Sequence, residues 1–153
     1  FGATGVAGGC VPTRRAVPPT PQKGNARLYT REARGPVDTV VQKLTEASKA
    51  NQFGVLGVIN LKAKLAEKGV EFGPPCFIVE VCNPVKAKKV LEREMSISTA
   101  LPCRISVYEH GGKVIVATMR PTAMLRLYDA PDLEPVAQEV EATILRIIDS
   151  ACE

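Results

Sequence analysis

The C-terminal stretch sets Leu133, Val136, Ala137, Val140, Ile144, Ile147, Ile148 and Ala151 at steps of three and four residues. That spacing puts them all on one stripe of an α-helix. A stripe so continuously apolar has to be covered by a second layer, and the layer is legible upstream. In "CFIVEVC", residues 76–82, period two sends Phe77, Val79 and Val81 to one face and Cys76, Ile78, Glu80 and Cys82 to the other. "CRISVYE", 103–109, sends Cys103, Ile105 and Val107 inward and Arg104, Ser106 and Tyr108 outward, and "KVIVATM", 113–119, returns through "HGG" as a hairpin partner. One-sided alternation is the mark of an antiparallel sheet with one covered face. The chain is therefore expected to be α+β, an antiparallel sheet of about five strands with helices packed mainly on one face.

The remaining elements fit this plan. "RLYTREA" reads as a first strand, and Val37, Val40, Val41, Leu44 and Ala47 mark a helix over 36–50, with Pro36 suited to its first turn. "FGVLGVINL", 53–61, reads as a strand by its β-branched content, and Leu61–Lys68 as a short amphipathic piece. Asn83-Pro84 supplies a favoured N-cap and first helical residue, so a helix is expected over 84–94, with Lys88 and Glu92 on its solvated face. "PTAMLRLY", 121–128, reads as a short helical turn.

At 45% hydrophobic and 24% charged residues, the chain has the composition of a globular domain. Its longest uncharged apolar run, Phe53–Leu61, is far short of the ~20 residues a membrane helix needs, so membrane contact would come only through partners or a surface. The charge is uneven. Residues 1–31 hold Arg14, Arg15, Lys23, Arg27 and Arg31 and no acid, whereas residues 32–153 hold 16 acidic against 15 basic residues. With aromatics at 5%, no basic stacking surface for nucleic acid is present in the pattern.

Residues 1–25, with five glycines and four prolines, differ from everything after them and separate as an extended basic arm from a single domain over 26–153. Pro18-Pro19-Thr20-Pro21 favours a polyproline-like path. Such a segment cannot bury enough apolar surface to order itself, so any order would come from a partner. Arg14 and Arg15 are its natural charge anchors, and Val11, Val17, Pro18 and Pro19 its apolar ones. The leading Phe and the acid-free, Arg-, Ala-, Thr- and Gly-containing start are similar to an organelle-targeting segment, with a plastid preferred over a mitochondrion.

Several linked motifs carry a family resemblance: Gln52-Phe53-Gly54-Val55 at a strand entry, "CNP..A" at 82–87, "LPC" at 101–103, "VYE" ending at Glu109, and "P.AML" at 121–125. Together they make residues 27–152 resemble the domain-of-unknown-function 302 (DUF302) family. The resemblance implies a compact α+β domain similar to the TATA-binding-protein-like arrangement, and often a homodimer. It implies no settled activity. It marks Cys82, Asn83, Pro84 and Cys103 as family-like positions, and the N-terminal arm departs from the usual bacterial members.

The candidate sites each have two readings. Cys82 is either a small buried residue beside an ordinary cap or a thiol activated at a helix N-terminus, with Lys86 and Lys88 nearby in sequence. No base accompanies it. Cys103 could join Cys82 in holding a ligand or metal, although the face assignment points the two apart. The five cysteines form neither a CxxC pair nor a Cys/His cluster with zinc spacing, so no metal or other cofactor is expected. A chain with its own core fits a reducing compartment better than a disulfide framework, with one disulfide as the alternative. Glu80 faces away from the apolar side, opposite Arg104 and Tyr108, as a cross-strand pair or as part of a polar ligand face or dimer interface. His110, the only histidine, is expected in an exposed turn, and Met95, Met119 and Met124 as gap-fillers rather than axial ligands.

Two functions follow from these readings. The first is a non-enzymatic accessory subunit of a larger organellar membrane-protein assembly, a photosystem-type complex before a respiratory one, docking on other protein subunits through its domain and arm. The alternative is a soluble small-molecule-binding or thiol-redox protein acting through Cys82 and Cys103.

Overall fold

A computed structural model describes residues 25–153. Five antiparallel strands form one sheet: β1 (Leu28–Ala33), β2 (Gly54–Asn60), β3 (Cys76–Cys82), β4 (Cys103–His110) and β5 (Lys113–Met119), in the order β1-β5-β4-β3-β2. β1 therefore pairs with β5, from Leu28 opposite Met119 to Ala33 opposite Val114. The β4–β5 hairpin turns on Gly111 and Gly112 with φ of 59° and 77°. Two consecutive positive φ values are what a tight turn matching strand twist demands, and glycine meets them without strain. His110 is the last residue of β4, paired with Lys113, so the strand runs one residue further than expected and the histidine precedes the turn.

The helices are α1 (Val37–Ala50), α2 (Leu61–Ala66), α3 (Pro84–Arg93), α4 (Pro121–Leu125) and α5 (Glu134–Cys152). Pro36 has extended geometry and is the N-cap of α1, one position before the expected first turn. Its carbonyl accepts the Val40 N–H at 3.1 Å, so it still opens the helix. α2 buries none of its residues and ends at Ala66, short of the amphipathic piece the sequence suggested.

The period-two reading holds on β3 and β4, and β5 alternates in the same way. Val79, Val81, Ile105, Val107 and Val116 are fully buried, under Val40 and Leu44 of α1 and Ile144, Ile147 and Ile148 of α5. Each large aliphatic side chain so buried contributes roughly 1.5–3 kcal/mol. Ser48 is buried among them without cost in unmet polarity, because its hydroxyl donates to the Leu44 carbonyl at 2.7 Å. β2 is less regular. A bulge between Val55 and Gly57 shifts its register on β3 and leaves Leu56 65% exposed on this edge strand.

A second, smaller cluster joins Ile97, Leu125, Ala130 and Leu133, with Val90, Tyr128 and Ala137 packed against it. It lies in the connections, partly on two 3-10 turns, Met95–Ala100 and Pro131–Leu133, that have no helical or strand period. The stripe on the C-terminal helix is thus shared. Its later residues belong to the main core, whereas Leu133 and Ala137 belong to this second cluster.

Candidate functional site

The register brings four strand ends together. β3 ends at Cys82, β4 starts at Cys103 beside Val81, and β5 ends at Met119 opposite Leu28 at the start of β1. Two connections leave from this end. One carries α3 and the first 3-10 turn, and the other carries α4 and the second. α3 starts there because Asn83 caps it. The Asn83 side-chain oxygen accepts the Lys86 N–H at 3.0 Å, and Pro84 occupies the first helical turn, as the Asn-Pro pair implies. The Asn83 amide also donates to the Gln52 carbonyl at 3.3 Å, which ties the cap to the turn before β2.

The two connections meet above the sheet end. The Thr99 and Tyr128 hydroxyls are 2.7 Å apart, and Arg93 Nε donates to Asp132 at 2.8 Å. With the second cluster, these contacts form a roof. Beneath it lies a cleft of about 680 Å3. Val90 of α3, Met124 of α4, and Val136 and Val140 of α5 line it from the helices. Cys82, Cys103, Ser106 and Thr118 line it from the sheet, and the cis Leu101–Pro102 bond sits on its wall. α3 buries none of its own residues, because the apolar side it presents faces this open space. The α4 wall is held firmly: Glu141 of α5 accepts from Arg120 Nη1 at 2.7 Å, from the Thr122 N–H at 3.1 Å and from the Thr122 hydroxyl at 2.5 Å. Arg120 also lies 5.3 Å from the ring centre of Tyr29.

Cys82 and Cys103 both border the cleft, although strand parity alone points them to opposite faces. Parity itself holds, since Cys103 pairs with Val81 of the core face and Cys82 is the next residue along; both border the cleft because it wraps around the end of the sheet and meets both sides. Burial pushes the Cys103 thiol up to about 11, with Cys82 adding to the shift, and burial raises the Cys82 thiol too. Both are held in the protonated form, the reverse of the lowering that a helix N-terminus can produce. Cys76 and Cys152 are likewise free thiols raised by burial, and Cys10 lies outside the described residues. His110 sits at the far end of β4 from Cys103, seven residues away and so about 23 Å at ~3.3 Å per residue.

Glu80 stands opposite Arg104 and accepts from its Nε at 3.2 Å, the cross-strand pair expected of these positions. Arg104 also borders the cleft. Met119 and Met124 are wall residues of the cleft, and Met95 is 67% exposed at the start of its 3-10 turn. Val11, Arg14, Arg15, Val17, Pro18 and Pro19 lie outside the described residues. Sequence reasoning missed Thr99, Tyr128 and Ile97. The "P.AML" motif pointed to the α4 wall, but nothing periodic marks residues that meet across two loops. Among the described residues, no group of three or more His, Cys, Asp or Glu is placed to hold a metal ion, and no helix is long and apolar enough to cross a membrane.

Comparison with known proteins places this geometry. No curated protein matches the chain. A crystal structure described as an uncharacterized conserved DUF302 protein from Bacillus stearothermophilus is similar over 84% of this chain and 99% of its own, with a TM-score of 0.79 and 30% sequence identity. The family model for the domain of unknown function DUF302 matches residues 29–151, nearly the whole described domain. The chain belongs to the DUF302 family.

Proposed function

We propose that the domain binds a small, largely apolar molecule in the cleft at the sheet end. The observation that carries this reading is the cleft itself. Its volume of about 680 Å3 falls within the roughly 300–1,000 Å3 of ligand sites, and its lining is mainly aliphatic with a few hydroxyls. Apolar walls that face open space forgo dispersion contacts a ligand would restore. Occupation would give α3 the packing that its neighbours in the fold do not supply. In this reading Cys82 and Cys103 serve as small, protonated wall groups. Their raised thiol pKa values support packing over nucleophilic or redox chemistry.

The reading as an accessory subunit of an organellar assembly rests on the arm, of which residues 1–24 lie outside the described residues. No feature of the described domain favours it over ligand binding.

The test is titration of the full chain with N-phenyl-naphthylamine, a neutral apolar fluorophore. Saturable enhancement at one probe per chain is expected, and Ala137→Trp, which fills the cleft from α5, should abolish it while circular dichroism shows the fold intact. Absence of saturable binding, or binding unchanged in a folded Ala137→Trp variant, overturns the proposal. A second filling variant, Ala87→Phe from α3, covers the case in which the first does not fold.

A further inference from the structure

Resting on that cleft reading, we infer that its ligand is an acid: an apolar body carrying one carboxylate, with Arg104 as the anchor of the carboxylate. Among the described residues, only two charged side chains border the cleft, Lys86 and Arg104, and both are cationic. Lys86 is already paired with Glu139 of α5. Arg104 is differently placed. Glu80 engages its Nε alone, at 3.2 Å, and among the described residues its two terminal nitrogens make no hydrogen bond. Those two nitrogens are the edge of the guanidinium that accepts a carboxylate in bidentate fashion. Glu80 thus orients the group from the other side without occupying this edge.

The surroundings complete the site. Arg104, Ser106 and Tyr108 follow one another on the outward row of β4, and all three border the cleft. Among the described residues, neither the Ser106 nor the Tyr108 hydroxyl is engaged in a hydrogen bond, so Ser106, two residues from Arg104, is free to donate to a carboxylate oxygen beside the guanidinium, and Tyr108 adds a further polar group farther along the row. Leu28, Met119 and Leu127 border the same cleft and are exposed large apolar groups, a seat for an aliphatic or aromatic body next to the polar row. The Arg104 side chain is 66% exposed while Glu80 is 21% exposed, so the guanidinium is reachable from the open side and its partner is not. Because Glu80 already offsets part of the charge, the preference for an anion is moderate, and the bidentate geometry carries most of it.

The experiment compares decanoate with decanol, the same chain with a neutral head, by isothermal titration calorimetry on the full protein. Decanoate should bind at least ten-fold tighter. In Arg104→Gln, an exposed and structurally mild change, decanoate should fall to the affinity of decanol while decanol is unaffected. Arg104→Lys, which keeps the charge and loses the fork, should retain only part of the preference. Equal affinity for the two probes in the wild type, a preference that survives Arg104→Gln, or binding of the neutral fluorophore with no binding of decanoate overturns the acid assignment while leaving the cleft reading in place. Loss of all three probes in the wild type removes the cleft reading, and the inference with it.

Discussion

Replacing Glu141 by Gln tests the joint that holds the α4 wall of the cleft. In the native domain one carboxylate oxygen accepts from Arg120 Nη1 at 2.7 Å and the other accepts from the Thr122 N–H at 3.1 Å and hydroxyl at 2.5 Å. Gln keeps one acceptor and turns a donor toward the other set, so either the Arg120 contact or the Thr122 N–H contact is lost, and in either case the charge on the acceptor is lost too. The side chains are only 14% and 29% exposed for Glu141 and Arg120, so water replaces the lost partners poorly. Hydrogen bonds to charged groups are worth roughly 1.5–3 kcal/mol each, which puts the cost at about 2–3 kcal/mol after partial compensation by solvent. At roughly 3 °C per kcal/mol for a domain of this size, the melting midpoint should fall by about 6–9 °C. The pH dependence gives a second check. Burial raises the Glu141 carboxyl, but the Thr122 and Arg120 contacts together outweigh it and leave the pKa below its ordinary value. A carboxylate depressed on folding stabilises the domain fully above its unfolded-state pKa, and that contribution is lost as pH falls through the folded-state pKa. The gap between wild type and Glu141→Gln should therefore be constant from neutral pH down to about 5 and narrow below about 4. Calorimetric melts across that range provide the measurement. A gap under about 0.5 kcal/mol at neutral pH, the size expected of a mere surface pair, would refute the reasoning, as would a gap that stays constant into strong acid.

Asn83→Ala should destabilise the domain by about 1 kcal/mol through loss of the α3 cap, read from the urea midpoint with an unchanged slope. With the Cys103 pKa at about 11, roughly a thousandth of that thiol is ionised at pH 8, so iodoacetamide should label it far more slowly than the same cysteine in the unfolded chain; comparable rates would show the burial is overstated. Deleting residues 1–24 should leave the melting midpoint within about 2 °C, because among the described residues the buried core begins at Ala33; a larger fall would assign the arm a part in the fold, and a pull-down with the truncated chain tests its part in any assembly.

Periodicity determined the parts of this protein where a single side chain's direction follows from its own neighbours. Val79, Val81, Ile105 and Val107 face the core because strands alternate, and Ile144, Ile147 and Ile148 meet them because a helix repeats every 3.6 residues. The Asn83 cap is equally local, since the acceptor reaches a backbone N–H three residues on. The strand order and the cleft are of another kind. β1 pairs with β5, more than eighty residues away, and no local pattern encodes which strands become neighbours. The cleft needs four strand ends, two 3-10 turns and the pairing of Thr99 with Tyr128 to arrive at one place. Cys82 and Cys103 show the difference most plainly. Read along their strands they point apart, and they do lie on opposite faces; only a cleft that passes around the sheet end borders both, because alternation describes a flat sheet and says nothing about what folds over its edge.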